Sequence, residues 1–208
     1  MHPNSAFRTR SEAEALAFAA ARGFGIVTAQ GPDGPLASHV PFVLGEARAE
    51  GHFVRSTALA RALAKGPLDA LMIVSGPDGY ISPDWYGEDD KVPTWNYVAV
   101  HLRGTLRLAP EIGMRAHVDR LSAQFEARLL PKTPWTSDKM DQELMARMMR
   151  TIVPWELTVT GVESTFKLNQ NRAQAAREGA AAALAAGGTP GSETAALAAL
   201  MRAAGDDG

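Results

Sequence analysis

Apolar and polar residues alternate along much of this chain, and the alternation predicts a protein built mainly from β-strands. A period of two is expected where one face of a strand is buried and the other meets solvent. Helical segments lie between some of the strands without strict strand–helix alternation, which favours an antiparallel barrel with peripheral helices, a mainly β (α+β) fold. The predicted strands are residues 25–29, 36–44, 48–55, 71–74, 97–108 and 152–169, with residues 80–82 also extended.

Helix signals occur at both ends and in the middle of the chain. Ser11 and Glu14 form a capping box, so a helix is predicted to begin after Ser11 and to end at Gly23. Further helices are predicted for residues 58–64, 111–130 and 137–150. Around the last of these, apolar residues at helical spacing predict a core or dimer face: Met140, Leu144, Met145, Met148, Met149 and Ile152.

Turn residues predict where the strands reverse. The segment Gly-Pro-Asp-Gly occurs at residues 31–34 and again at 76–79, and each copy is interpreted as a hairpin turn. A further hairpin is predicted around residues 161–164. From Gly179 the chain is rich in Ala and Gly, and we expect a mobile tail over residues 179–208 with a short helix near residues 193–203.

Composition narrows the function classes. The 208 residues carry 21 Lys and Arg against 23 Asp and Glu, a formal charge of −2, which argues against an autonomous DNA-binding domain. Cys is absent, so thiolate catalysis, disulfides and Cys-ligated zinc or iron–sulfur sites are excluded. We find neither a secretory signal nor an apolar segment of membrane-spanning length, and we expect a cytoplasmic protein without membrane contact.

The histidines raise the question of a metal site. His39, His52 and His101 fall in predicted strands and could meet at one barrel mouth. None has the spacing of a metal-binding pair, however, so we predict no metal site and favour partly buried histidines with hydrogen-bond partners.

Aromatic residues are concentrated in one segment. Most of the Trp and Tyr residues lie within residues 80–97, interleaved with Ser, Thr, Asn and Pro. Such a segment can frame a planar ligand and hydrogen-bond its edge. The alternative is that Trp85, Trp95 and Tyr97 are core residues with satisfied polar atoms.

A second candidate lies at the end of the strand 48–55. Arg55, Ser56 and Thr57 would combine a guanidinium, two hydroxyls and the amides of a following helix, which suits a phosphate monoester. The alternative is a solvated Arg55 beside an ordinary hydroxyl helix cap.

A third candidate is the polar run near residue 170. Gln170 and Asn171 beside Arg172 could bind the polar edge of a heteroaromatic ring or could simply cap a strand end.

Taken together, these segments resemble the FMN-binding negative transcriptional regulators, the PaiB-like proteins. The resemblance covers residues 1–178 in order, and its Pro-Thr-Trp-Asn-Tyr and Gln-Asn-Arg blocks are specific. The matching segments are Met1-His2-Pro3 with Phe7, Ser38-His39-Val40-Pro41-Phe42, His52-Phe53-Val54-Arg55-Ser56, residues 76–86, residues 92–101, Ile152-Val153-Pro154 and Lys167-Leu168-Asn169-Gln170-Asn171-Arg172.

The resemblance implies an FMN-binding split β-barrel over residues 1–178, with the flavin at a homodimer interface. It implies that Arg55, Ser56, Thr57 and Arg61 hold the FMN phosphate and ribityl chain and that His39 and Val40 line the isoalloxazine. Trp95, Asn96 and His101 would come from the partner or an adjacent strand. Gln170 and Arg172, with Asn171 between them, would close the polar edge of the ring.

Two functions remain open at this point, beside that of a bare flavin carrier or storage protein. The first is a flavin-binding regulator that acts on DNA directly or through a DNA-binding partner, although the chain contains no helix-turn-helix pattern. Residues 101–150 hold nine Lys and Arg against six Asp and Glu, which is interpreted as a solvated helix face. The second is a small FMN-dependent oxidoreductase that takes electrons from a nicotinamide, for which the flavin would carry the chemistry.

Overall fold

Seven strands and six α-helices are present in the computed structural model, which describes residues 1–204. The strands are β1 (Phe24–Gly31), β2 (Gly34–Leu44), β3 (Arg48–Val54), β4 (Leu68–Ile81), β5 (Thr94–Leu108), β6 (Ile152–Lys167) and β7 (Gly191–Ser192). The helices are α1 (Glu12–Arg22), α2 (Ala58–Leu63), α3 (Met114–Glu126), α4 (Gln142–Met149), α5 (Gln174–Ala186) and α6 (Thr194–Ala203). No helix within these residues is long and apolar enough to cross a membrane.

The strands pair in the order β1-β2-β3-β6-β5-β4-β7, and β1 also pairs with β4. Six strands therefore form a closed ring, with β7 added at the outside of β4. The register of β1 with β2 is antiparallel from Phe24↔Pro41 to Gly31↔Gly34, so the first Gly-Pro-Asp-Gly segment is the predicted hairpin turn. The mainly β fold with peripheral helices is confirmed.

Internal contacts divide the chain into two compact units. The central unit contains Leu16–Val74 and His101–Val162, and the terminal unit contains Met1–Ala15, Ser75–Val100 and the chain from Glu163 onward. In the central unit, the rings of Phe53 and Trp155 stack at 5.4 Å. Trp155 lies directly against Gly51, where a Cβ would be only 2.2 Å from the indole. This glycine is required for close packing and not for a turn.

The second Gly-Pro-Asp-Gly segment is not a turn, contrary to the prediction. Residues 76–79 continue β4, and Asp78 and Gly79 pair with Ser192 and Gly191 of β7. A Cβ on Gly79 would lie 2.9 Å from Leu184 Cδ2 of α5 and 3.2 Å from Leu197 of α6. The missing side chain lets two helices approach the strand, so contacts distant in sequence override the local turn signal.

The predicted hairpin around residues 161–164 is also wrong. β6 runs without interruption from Ile152 to Lys167, and Gly161 has no positive φ. Its neighbour Thr160 donates its hydroxyl to the carbonyl of Arg103 on β5. A glycine without accompanying turn residues is thus accommodated by strand pairing.

The Ala-rich region after Gly179 is helical and packed over the described residues, where the sequence predicts a mobile tail. Ala180, Ala181 and Leu184 of α5 are buried, as are Leu197 and Met201 of α6. Small alanines form one helix face on which a second helix can pack, so low side-chain complexity here favours close packing. The expected terminal helix is confirmed as α6, and residues 205–208 lie outside the described residues. The domain boundary at residue 178, which α5 crosses, stays a prediction.

Gly104 is predicted to be the glycine least tolerant of substitution in the central unit. A Cβ at Gly104 would be 1.9 Å from the carbonyl oxygen of Thr158, a backbone atom that cannot rotate away. We expect Gly104→Ala to lower the free energy of unfolding by about 3 kcal/mol or more, measured by urea denaturation. Gly161→Ala is the matched control, because its Cβ would meet only Arg103 Cβ at 3.9 Å. Equal stabilities of the two variants would contradict this close approach.

Candidate functional site

The end of β3 and the start of α2 form a corner, here called the β3–α2 corner, that holds four of the predicted residues: Arg55, Ser56, Thr57 and Arg61. β3 pairs with β6 down to Val54↔Ile152, and the Arg55 amide continues this pairing by donating to the Thr151 carbonyl at 2.9 Å. The Arg55 Nε then donates to the Arg150 carbonyl at 2.9 Å. Arg55 is therefore held by its backbone and its Nε, while the side chain remains exposed.

The other three residues of the corner have different roles. Thr57 caps α2, because its hydroxyl accepts from the Ala60 amide at 3.3 Å and donates to the Val54 carbonyl at 2.9 Å. Arg61 Nη1 donates to the Ser56 carbonyl at 2.5 Å. The structure thus brings the predicted phosphate residues together, with Thr57 shaping the corner and Ser56 and Arg61 exposed to solvent.

The β3–α2 corner offers donors that match a phosphate monoester. Among residues 1–204, the Ser56 hydroxyl, the terminal nitrogens of Arg55 and the Nη2 of Arg61 have no hydrogen-bond partner. Phosphate oxygens are acceptors that pair best with cationic donors. FMN ends in a phosphate monoester, so these residues fit that end of the cofactor.

His39 and Val40 lie on opposite faces of β2. Val40 is 4% exposed and belongs to the core, whereas His39 is exposed and its ring is 6.4 Å from that of Phe24. Successive side chains of a strand alternate, so only His39 can present its side chain to a ligand on the outer face. Val40 can contribute only backbone atoms there. His101, on β5, is half-buried.

A second group lies around Tyr86 in the terminal unit and includes one predicted residue, Arg172. The Arg172 guanidinium lies over the Tyr86 ring at 4.9 Å, and its Nη1 is 4.0 Å from a Glu88 carboxylate oxygen. Asn169, in the left-handed region at φ 60°, donates from Nδ2 to the Tyr86 hydroxyl at 3.4 Å. Its carbonyl accepts from the Arg172 amide at 2.9 Å. Burial raises the pKa of Tyr86, so the phenol stays protonated and neutral.

Lys167 is a candidate that the sequence analysis quoted in a motif but did not select. Its ammonium donates to the Trp95 carbonyl at 2.6 Å and to the Thr94 hydroxyl. Burial, and then the charge of Arg172, lower the pKa of Lys167. Trp95 itself is 47% exposed and meets Tyr80 edge to face at 6.4 Å. Lys167 thus holds an exposed indole in place through its backbone, a role that only the folded chain reveals.

Three other predicted residues have different surroundings. Gln170 closes a local loop, accepting from the Leu168 amide at 2.8 Å and donating to the Phe166 carbonyl at 2.6 Å. Asn171 is exposed. Asn96 is fully buried, with its Nδ2 3.4 Å from the Met201 sulfur of α6. Asn96 is inaccessible to a ligand in this conformation and acts as a core residue.

Two histidines of the central unit form a buried pair. His52 Nδ1 of β3 lies 3.2 Å from His117 Nε2 of α3, beside an ion pair between Arg120 and Glu50 at 2.8 Å. Burial, the neighbouring His52 and Arg120 lower the pKa of His117 to about 4, and burial lowers that of His52. Among the described residues no group of three potential ligands could hold a metal ion. The pair therefore joins a helix to a strand in its neutral form.

The fold is a barrel of antiparallel strands, and phosphate-type donors lie at the end of one of them, β3. The comparison with protein families specifies the cofactor, since residues 1–161 match the family described as "Putative FMN-binding domain". The chain belongs to this family, and its cofactor is FMN.

Known relatives support the same class. The chain is 27% identical over 170 residues to the Bacillus subtilis "Protease synthase and sporulation protein PAI 2", with 80% of each chain covered, which confirms the PaiB-like resemblance. Among solved structures it is similar to the FAD and heme binding protein from Mycobacterium smegmatis, at 16% identity and a TM-score of 0.55, over 77% of this chain and 73% of that one. It is also similar to a flavocytochrome from Azotobacter vinelandii, at 18% identity and a TM-score of 0.50, over 76% and 68%. At these identities the structural likeness shows the fold alone, a split barrel.

The histidine pair predicts acid sensitivity. The pKa values of both histidines are lower in the folded protein than in the unfolded chain. Below about pH 6.5 the unfolded chain therefore binds more protons than the folded protein, and the free energy of unfolding falls as the pH decreases. The loss should span the window from 6.5 to about 4, with a slope of up to about 1.4 kcal/mol per pH unit for each histidine. His117→Gln should flatten this slope in urea denaturation. His39→Gln, at an exposed position, should retain it. A wild-type slope in His117→Gln would exclude the pair as the source.

Proposed function

We propose that this protein is a regulator of the negative transcriptional regulator type, an FMN-binding homodimer with the flavin at the subunit interface. The β3–α2 corner carries this proposal, because it presents unpartnered cationic donors beside exposed apolar side chains. FMN, when bound, supplies one-electron and hydride transfer chemistry. The chain's own residues would bind and orient it.

The phosphate end of FMN is assigned to the β3–α2 corner. Arg55 and Arg61 would neutralise the phosphate charge, and Ser56 would donate from its hydroxyl. Thr57 positions these groups by capping α2. Because Arg55 Nε is already held by the Arg150 carbonyl, the guanidinium is oriented before the ligand arrives, which reduces the entropic cost of binding.

The ring of FMN is assigned to His39 of β2, which presents its own ring to solvent on the central unit. Trp95, whose indole is exposed on the terminal unit, stays a candidate that the partner subunit would supply. Arg172 is fixed by Tyr86 and Glu88, so its charge stands at a defined position on the terminal unit. Gln170 and Asn171 stay candidates for the polar edge of the ring, and His101 and Val40 for contacts through adjacent strands.

Exposed apolar residues next to Arg55 support a homodimer. Val54 is 50% exposed at the end of β3, and Leu144 and Met148 of α4 are 41% and 53% exposed. The end of α4 is tied to this corner, since the Thr151 amide donates to the Met148 carbonyl and the Thr151 carbonyl accepts from Arg55. Apolar side chains grouped in this way are typical of a surface that another chain covers.

Regulation through a partner protein is favoured over direct DNA binding. At least four of the nine cations of residues 101–150 are paired with carboxylates: Arg107–Glu111, Arg115–Asp119, Arg120–Glu50 and Lys132–Glu126. Each such pair reduces the positive charge that is free to meet a phosphate backbone. A purified dimer should therefore give no sequence-selective gel shift by itself, and a salt-sensitive shift would instead establish direct binding.

Replacing Arg55 should weaken FMN binding. Loss of a charge-assisted hydrogen bond costs about 1.5–3 kcal/mol, so Arg55→Ala should raise the Kd for FMN about 10- to 100-fold in a flavin fluorescence titration. Arg128→Ala removes an equal charge from a residue that lies over Phe125, and it should leave the Kd unchanged.

An unchanged Kd in an Arg55→Ala, Arg172→Ala double variant would refute the assigned flavin residues. Light scattering of the loaded protein tests the dimer, and a monomer that retains FMN would refute the interface. Rapid anaerobic bleaching of the bound flavin by NADH or NADPH would favour the oxidoreductase alternative over a regulator.

A further inference from the structure

A cavity of the central unit lies beside α2. Its volume is about 550 Å³, and it is open to solvent on one side and bordered by the β1–β2 turn, by α2 and by the connection from α2 to β4. Apolar side chains, including Leu36, Ala62 and Leu68, form much of its lining. A cavity of this size falls within the range of pockets that bind small organic molecules.

Charged groups stand at the edge of this cavity, here called the α2 cavity. Arg61 and Lys65, four residues apart, contribute two cations, and Asp33 of the β1–β2 turn contributes one carboxylate. Neither Lys65 nor Asp33 has an ion-pair partner within residues 1–204, so these opposite charges do not neutralise one another. The net charge of the lining is therefore +1, next to an apolar wall.

The α2 cavity differs from the β3–α2 corner. Arg61 is the single lining residue that also belongs to the predicted flavin set, and its Nη1 is directed to the Ser56 carbonyl. Within the described chain, no hydrogen bond joins Arg55 or Ser56 to the other lining residues that the argument uses, which are Leu36, Ala62, Lys65 and Leu68. The cavity therefore has its own charge, Lys65, and its own apolar wall.

We propose that the α2 cavity is a second ligand site, which binds a small organic anion with a flat apolar body, such as an aromatic carboxylate. The apolar body would lie against Leu36, Ala62 and Leu68, and the anionic group would meet Lys65. Burial of an aromatic ring supplies affinity through apolar area, and the cation selects the sign of the ligand's charge. The proposal does not depend on the flavin function.

The probe for this site is 8-anilino-1-naphthalenesulfonate, an anion with a flat apolar body. We expect a saturable fluorescence increase with one site per chain. Ala62→Trp fills the cavity and should lower the affinity at least about tenfold, since it removes most of a buried ring's contact. Ala64→Trp is the matched control, because Ala64 follows α2 but is exposed and does not line the cavity.

Charge provides a second test that does not alter the volume. Lys65→Glu should lower the affinity of the probe about tenfold. Lys139→Glu is the control and should leave the affinity unchanged, because the Lys139 ammonium donates to the Pro134 carbonyl and does not line the cavity. Benzoate should displace the probe, and benzylamine, of the same shape but opposite charge, should not. This test remains decisive even if Ala62→Trp fails to fold.

Three results would overturn the proposal. The first is equal probe affinity in Ala62→Trp and Ala64→Trp, which would place the probe elsewhere. The second is equal displacement by benzylamine and benzoate, which would remove the role of Lys65. The third is one-for-one displacement by FMN, which would make the cavity part of the flavin site.

Discussion

The antiparallel pairing of β3 with β6 is the interaction on which the candidate site depends. Its register runs from Arg48↔Thr158 to Val54↔Ile152, and the amide of Arg55 extends it by one hydrogen bond beyond the strand. That last bond fixes where the chain leaves the barrel. A slip of one residue in this pairing would turn every side chain of β3 to the opposite face. The corner that is proposed to hold FMN would then lose its arginine.

Close backbone approach keeps this register in place. Gly51 makes room for the Trp155 indole, and Gly104 admits the Thr158 carbonyl of β6. The histidine pair and the Arg120–Glu50 ion pair then attach α3 to the same strand, β3. Packing, backbone pairing and polar contacts therefore act on β3 or on its partner β6, so the position of the candidate site follows from the core of the barrel and not from a flexible loop.

The candidate residues separate into groups with different physical roles. Arg55, Ser56 and Arg61 present donors to solvent, whereas Thr57 satisfies backbone atoms. Asn96 is completely buried and presents no atom to solvent. A motif therefore mixes residues suited to contact a ligand with residues that hold the fold, and burial distinguishes the two. The same distinction separates the α2 cavity, where Lys65 has no protein partner, from cations such as Arg107 that carboxylates already neutralise.

Local chemistry alone determined much of this protein. The capping box of Ser11 and Glu14, the alternation of most strands and the first hairpin turn were all predictable, because each depends on neighbours within a few residues. The family resemblance pointed to FMN and to Arg55. The tertiary structure alone decided that residues 76–79 form a strand, that the Ala-rich segment packs, that His52 meets His117 and that Lys167 holds Trp95. These outcomes join residues far apart in the chain, so no local pattern encodes them, and they become defined only when the barrel closes.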